Sequence, residues 1–175
     1  MSKPSSPSAT LPIAFVGLRI LVVLNWLMGA MILVLLIAMP NRQWIMSAFD
    51  LTASPDADRL VMGLRVAAAL GLAVFVLNYG VLKRLLAMVE TVRAGDPFVA
   101  ANASRLNAIA WSLLALQLLS IVIGAIGKAV STPQHPVDLD AGFSINGWLA
   151  VLLTFLLARV FAEGTRMRDD LEGTI

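Results

Sequence analysis

Four long stretches without a charged side chain dominate the pattern of this chain. They hold 22, 17, 22 and 18 residues and lie between Arg19 and Arg42, between Arg65 and Lys83, between Arg105 and Lys128, and between Asp140 and Arg159. An α-helix needs about 20 apolar residues to cross the hydrocarbon of a bilayer, whereas a membrane barrel is built from many short alternating strands. The pattern therefore predicts an all-α membrane protein with four transmembrane helices, at about 14–38, 61–83, 104–127 and 144–163.

The second helix is predicted to continue beyond its membrane span. From Leu82 to Val92, apolar residues recur three and four positions apart with charged residues between them, which is typical of an amphipathic helix. In the following Gly95-Asp96-Pro97, Gly95 suits the first residue after a helix, where φ is often positive. Asp96 suits the N-cap of the next helix and Pro97 its first turn. The sequence thus predicts a cytoplasmic helical hairpin extension between helices 2 and 3, with helix 3 beginning at Pro97.

Lys and Arg residues near the ends of the spans predict the orientation in the membrane, because the cytoplasmic side is the more positive one. We expect both termini in the cytoplasm and the loops 39–60 and 128–143 outside, where Trp44 and Trp148 suit an aromatic belt. The predicted organisation is a disordered cytoplasmic N-terminus 1–10, a transmembrane domain 11–164 and a cytoplasmic tail 165–175. The side with the termini carries eight Lys and Arg residues and the other side three, namely Lys3, Lys83, Arg84, Arg93, Arg105, Arg159, Arg166 and Arg168 against Arg42, Arg59 and Lys128.

Composition agrees with lipid as the solvent for most of the chain. Hydrophobic residues make up 59% and charged residues 14% of the 175 residues, and a soluble domain of this size could not bury so much apolar surface. The chain has no cysteine, which excludes disulfides, thiolate nucleophiles and thiolate metal sites. The net charge of +2 comes without a concentrated basic stripe, so we expect no direct binding of nucleic acid.

Ionisable residues inside a bilayer are the first candidates for function. Arg19 and Arg65 lie within spans, and the simplest expectation is that both side chains reach the interface. No Asp or Glu lies at the centre of a span, which argues against a proton pump or a coupled transporter. Gly124 and Gly127 are expected to permit close helix packing. Four uncharged polar residues are expected to join helices by hydrogen bonds, with a transport path as the alternative: Asn25, Asn78, Gln117 and Asn146.

Other candidate chemistry is sparse. His135, Asp138 and Asp140 could bind a divalent cation in the second outer loop, but no fourth ligand is evident, and turn-rich loops collect such residues. A glycosylation sequon at Asn102 would face the cytoplasm. The chain has no nucleophile elbow, phosphate-binding loop, zinc-protease helix or paired-carboxylate motif. We therefore expect neither an enzyme nor a bound cofactor or metal.

Two segments on the predicted cytoplasmic side carry recognisable motifs. One is Gly95-Asp96-Pro97-Phe98-Val99, followed by Asn102 and Arg105-Leu106, and the other runs from Phe161-Ala162-Glu163-Gly164 through Met167, Asp170-Leu171 and Thr174-Ile175. They resemble the "G-x-P-F…N…R-L" turn and the "F-x-x-G…L-x-x-D/E…T-V/I" ending of a bacterial family of small four-helix membrane proteins, the domain-of-unknown-function family 2975. Met167 and Gly173 depart from that pattern, which usually has Leu at both positions.

This resemblance implies a location in the bacterial inner membrane and no known enzymatic activity. It also implies a partner, because the genes of this family often lie beside one for a small helix-turn-helix regulator. The leading hypothesis is therefore a non-catalytic sensor or anchor that acts through such a cytoplasmic regulatory protein. A small transporter, a channel, an accessory subunit and a structural protein are the alternatives, and a homo-oligomer stays open.

The turn and the tail are predicted to form one docking face for this partner. Gly164 is expected to end the fourth helix and Thr165 to cap a short continuation, and Met167 would then share a face with Leu171 and Ile175. Ion pairs between turn and tail are expected from Arg84, Arg93 and Arg105 to Asp169, Asp170 and Glu172. The candidate docking residues are Gly95, Asp96, Pro97, Phe98, Asn102, Arg105, Phe161, Gly164, Met167, Asp169, Asp170, Leu171 and Thr174.

Overall fold

The computed structural model describes residues 10–39, 47, 55–131, 136–137 and 141–172. Within these residues the secondary structure is helical, with no strand. The four long helices are α1 (Thr10–Ala38), α2 (Pro55–Arg93), α3 (Ala100–Val130) and α4 (Ile145–Glu172). Each is long and apolar enough to cross a membrane, and each covers one of the predicted spans to within one residue. The all-α class and the four membrane-type helices are thus confirmed.

The helices pack in the order in which they follow one another along the chain. The main contacts are α1 on α2, α2 on α3, and α3 on α4, while the remaining pairs of described helices make at most marginal contact. The helices therefore form an open row with α1 and α4 at its edges. The exposed side chains along these two edges are large and apolar, such as Met31 and Ile37 on α1 and Leu152 and Leu156 on α4, as expected for surfaces in contact with lipid.

The interface between α1 and α2 is held by aromatic packing and by one buried amide. Trp26 makes edge contacts with Phe75 and Tyr79, with ring centroids 5.4 and 5.6 Å apart. Asn25 is buried, and its Nδ2 donates to the main-chain oxygen of Phe75 at 3.3 Å. The expectation that Asn25 joins two helices is therefore confirmed.

The two arginines of the predicted spans lie toward opposite ends of the α1–α2 pair. Arg65 Nη2 donates to the main-chain oxygen of Met39 at 2.7 Å, next to a small core of Met39, Ala57, Leu60 and Val61. This bond satisfies a carbonyl at the end of α1, where the helix itself offers no donor. Toward the other end, the guanidinium of Arg19 lies 4.6 Å from the centre of the Phe15 ring. Arg65 thus has a structural role at a helix end.

Polar side chains of α3 hold the segment that leads into α4. Gln117 Nε2 donates to the main-chain oxygen of Gly142 at 3.4 Å. Ser120 bonds the same residue twice, because its hydroxyl donates to the Gly142 oxygen and accepts from the Gly142 N–H. A Cβ added at Gly124 would lie 2.4 Å from the main-chain oxygen of Ala141, so Gly124 permits a close approach, but to this segment and not to another helix as predicted. Gly124 thus packs against the backbone that precedes α4. Asn146, which was predicted to join helices by a hydrogen bond, is exposed on α4.

Two predicted helix boundaries were wrong. Helix α3 begins at Ala100, and its N-cap is Val99, with φ −95° and ψ 142° and no side-chain cap bond. The Asp96 carboxylate, which was expected to cap this helix, instead pairs with Arg168 of α4. Helix α4 does not end at Gly164 but continues to Glu172, since a glycine inside a helix costs only about 1 kcal/mol. Thr165 is buried inside this helix, and its hydroxyl donates to the main-chain oxygen of Phe161.

Candidate functional site

The turn between α2 and α3 is built on a left-handed glycine. Gly95 has φ +87°, which is a conformation that residues with a side chain rarely adopt. The Gly95 N–H bonds the oxygen of Val92 at 3.1 Å, and the Asp96 N–H bonds the oxygen of Thr91 at 3.1 Å. This pair of bonds defines the Schellman motif of a helix end. The predicted role of Gly95 is confirmed, and residues 96–99 have no regular secondary structure before α3.

Asn102 connects this turn to both of its helices. Its side chain is fully buried, and Nδ2 donates to Thr91 Oγ1 at 2.6 Å and to the main-chain oxygen of Pro97 at 2.9 Å. Its Oδ1 accepts from Arg105 Nη1 at 2.8 Å, and the same nitrogen lies 3.5 Å from the oxygen of Ala87. The Asn102 side chain thus forms hydrogen bonds with a hydroxyl near the end of α2, with the backbone of the turn and with a guanidinium of α3. It explains why Asn and Arg occur three positions apart here.

The last turns of α4 pack against the same turn. The Phe98 and Phe161 rings lie 5.4 Å apart between centroids, and a Cβ added at Gly164 would be 3.4 Å from the Phe98 ring. Gly164 therefore lets the ring of Phe98 lie close to the backbone of α4. Arg168 Nη1 then donates to Asp96 Oδ1 in an ion pair between α4 and the turn. We call these five residues, Asp96, Phe98, Phe161, Gly164 and Arg168, the turn–tail surface.

The structure brings most of the predicted docking residues together. Gly95, Asp96, Pro97, Phe98, Asn102 and Arg105 form the turn and the start of α3, and Phe161 and Gly164 meet them from α4. Met167 lies beyond Gly164 on α4 with 57% of its surface exposed. Asp169, Asp170 and Leu171 belong to the end of α4, and Thr174 lies outside the described residues.

One ion pair across this surface has the opposite polarity to the pairs that we predicted, while the side chains of Asp169 and Glu172 lie outside the described part of the structure. We expected arginines near the turn to pair with acidic residues of the tail, but in the described ion pair the tail supplies the cation, Arg168, and the turn the anion, Asp96. Arg105 bonds Asn102, and Arg93 lies 5.0 Å from the centre of the Phe15 ring. The sequence motifs predicted that both segments belong to one site. Which charged side chains meet there depends on how α4 is rotated about its own axis.

Two predicted features of the outer loops involve residues that the structure does not describe. Trp44 of the aromatic belt and the candidate metal ligands His135, Asp138 and Asp140 lie outside the described residues. Within the part of the chain that the structure describes, no group of three or more His, Cys, Asp or Glu side chains could hold a metal ion.

Four apolar helices of membrane-spanning length define the class of this chain as a multi-pass membrane protein. The family model for a protein of unknown function (DUF2975) matches residues 43–175, and the chain belongs to this family. The family predicted from the turn and tail motifs is thus confirmed. Neither the comparison with curated proteins nor the comparison with solved structures gave a match.

Proposed function

We propose that this protein is a non-catalytic sensor or anchor of the bacterial inner membrane that acts through a cytoplasmic partner, such as a small helix-turn-helix transcriptional regulator. The observation that carries the proposal is the turn–tail surface. Two segments that are 63 to 72 positions apart in sequence meet there through a ring pair, a close backbone approach and an ion pair. Such a composite surface can transmit a change in helix position to a bound protein, because both segments end membrane-type helices.

The charge pattern supports a cytoplasmic location of this surface. Eight Lys and Arg residues belong to the side with the termini and three to the other side, and an excess of these residues marks the cytoplasmic side. Helix α2 has 39 residues, which corresponds to roughly 58 Å of helix, against roughly 30 Å of hydrocarbon. The segment from Lys83 to Arg93 would then project beyond the bilayer as the cytoplasmic hairpin extension.

Exposed apolar side chains on and beside the turn–tail surface are available for contact with a partner. Met167 is 57% exposed and Phe98 45% exposed, and charged Arg166 and Arg168 flank Met167 on α4. Apolar side chains among charged ones are typical of surfaces that bind a helix or a small domain. The alternative of a transporter or channel receives less support, because Asn25 and Gln117 use their amides to bond neighbouring backbone.

Cysteine labelling tests the orientation. Single cysteines at Ser54 and Ser131 are expected to react with a membrane-impermeant maleimide in intact cells, because both positions belong to the proposed outer loops. A cysteine at Ser104, which is exposed on α3 near the turn, is expected to react only after the cells are permeabilised. Labelling of Ser104→Cys in intact cells, with protection of the other two positions, would reverse the orientation.

Co-purification tests the partner. Deleting residues 167–175 is expected to leave membrane insertion intact and to reduce recovery of the regulator from membranes in mild detergent to background. Reversing one charge, as Asp96→Lys or Arg168→Glu, is expected to lower recovery with little effect on folding, since an exposed ion pair contributes about 1 kcal/mol or less. The double variant restores the pair with opposite polarity and is expected to regain recovery. Equal recovery by the full-length and truncated proteins, at equal membrane levels, contradicts the proposal.

A further inference from the structure

A cavity between α2 and α3 collects basic side chains. Its volume is about 570 Å³. Its described lining contains no Asp or Glu and combines cations and a phenol with apolar side chains. The lining residues that matter are Lys83, Arg84, Arg105, Tyr79, Val76 and Leu77. Three cations around one cavity without a carboxylate among its described walls favour an anionic ligand.

Two of the three cations are positioned by the fold. Arg105 is held by the fully buried Asn102, whose Oδ1 accepts from Arg105 Nη1 at 2.8 Å. Arg84 folds back along α2, and its Nη1 would lie 2.8 Å from a Cβ added at Gly80. The absence of a side chain at Gly80 therefore leaves room for the Arg84 guanidinium, which lies about one helical turn closer to the apolar part of α2 than the Arg84 backbone does. Positioned guanidinium groups suit phosphate oxygens, which accept two parallel hydrogen bonds from one arginine.

The cavity also lies where the uncharged stretch of α2 ends, which is where a membrane-spanning helix meets the lipid headgroups. The 17 uncharged residues after Arg65 end at Lys83, so the basic part of the cavity marks the end of the apolar span. Val76 and Leu77 line its other part, and Val76 is 61% exposed along the helix surface. A ligand held here would have its anionic group beside the cations and room for an apolar chain along Val76.

We propose that this cavity binds the phosphodiester headgroup of an anionic phospholipid, with Arg84 and Arg105 on the phosphate oxygens and Lys83 beside them. Basic pockets between transmembrane helices bind anionic headgroups in this way. The lipid is favoured over free phosphate because Val76 and Leu77 give the cavity an apolar wall, and the side chain of Val76 is exposed on the helix surface. The cavity shares none of the five residues of the turn–tail surface, and the variants below leave the candidate docking residue Arg105 unchanged, so lipid binding and partner binding can be tested independently.

Native mass spectrometry of the purified full-length protein tests the proposal, with phosphatidylglycerol and phosphatidylcholine as the two probes. The unchanged protein is expected to retain phosphatidylglycerol in preference to phosphatidylcholine. In the double variant Lys83→Gln, Arg84→Gln, binding of phosphatidylglycerol is expected to weaken about 25-fold, since each cation near an anionic lipid contributes a factor of about five. The matched control is Arg159→Gln, Arg166→Gln, which removes two cations from the same end of the helices outside this cavity, and its loss is expected to be much smaller.

A second variant keeps every charge. Gly80→Ala places a methyl group where the Arg84 guanidinium lies, and a flexible side chain can move away at little cost in folding. Phosphatidylglycerol binding is then expected to weaken by up to about fivefold, the contribution of one cation, with unchanged helix content by circular dichroism.

Three results would overturn the lipid site. The first is equal retention of phosphatidylglycerol and phosphatidylcholine by the unchanged protein. The second is an equal loss in the double variant and in its control, which would mean general attraction between a basic protein end and anionic lipid. The third is competition by inorganic phosphate at the same strength as by lipid, which would assign the cations to a free anion.

Discussion

Replacing Asn102 by alanine is expected to lower the free energy of unfolding by about 3 kcal/mol, since each buried polar group left without a partner costs roughly 1–3 kcal/mol. Asn102 is 0% exposed and serves the Thr91 hydroxyl, the Pro97 oxygen and the Arg105 guanidinium. The alanine side chain can serve none of them. The measurement is unfolding of the purified protein in mixed micelles, followed by tryptophan fluorescence.

Asn107→Ala is the matched control. Asn107 lies five positions later on α3 and is exposed, so its truncation is expected to change stability by less than about 0.5 kcal/mol. A loss of similar size in both variants would mean that the hydrogen bonds of Asn102 do not stabilise the turn.

The fold could be predicted from the sequence because a helix that crosses lipid must have a minimum apolar length. Each spanning helix needs an uncharged stretch of about 20 residues, and charged residues such as Arg65 and Lys83 delimit these stretches. The end of α2 was predictable for a local reason as well. Gly95 is the kind of residue that a left-handed helix end requires, and its φ of +87° satisfies that requirement.

The start of α3 was not predictable from local rules, because a distant residue decides it. Asp96 has the chemistry of an N-cap, but its carboxylate pairs with Arg168, 72 positions away. Gly164 has the chemistry of a helix end, yet it lies inside α4 and makes room for the Phe98 ring. In both cases a tertiary contact overrides the local preference of the residue.

The candidate site was predictable as a neighbourhood but not in its contacts. The turn follows the second helix and the tail follows the fourth. Because two helices separate them, both lie on the same side of the helix row, as the topology predicts. The partners of Arg105 and Arg168 depend on how α3 and α4 are rotated about their axes, and the weak difference between the faces of an apolar helix gives little information on that rotation. Ser120 was missed for the same reason, since its role depends on where the backbone of Gly142 passes.

Replacing Gly124 by alanine is expected to lower the free energy of unfolding by about 2–3 kcal/mol, the upper part of the range for overpacking a close contact. The added Cβ would lie 2.4 Å from the Ala141 oxygen and 3.0 Å from the Gly142 Cα. These are backbone atoms, so no side-chain rotation relieves the clash. The segment also cannot move away freely, because Ser120 and Gln117 bond the Gly142 backbone. Unfolding in mixed micelles measures the loss.

Gly17→Ala is the control for the change itself, since it adds the same methyl group to a helical glycine of α1. No atom lies within 4 Å of the position that this Cβ would take. It is expected to leave stability unchanged or to raise it by up to about 1 kcal/mol, because alanine loses less conformational entropy than glycine in a helix. If Gly124→Ala behaves like Gly17→Ala, the segment before α4 is not held against α3. In that case the additional variant Ser120→Ala is expected to be neutral as well, because its hydrogen bonds to Gly142 depend on the same contact.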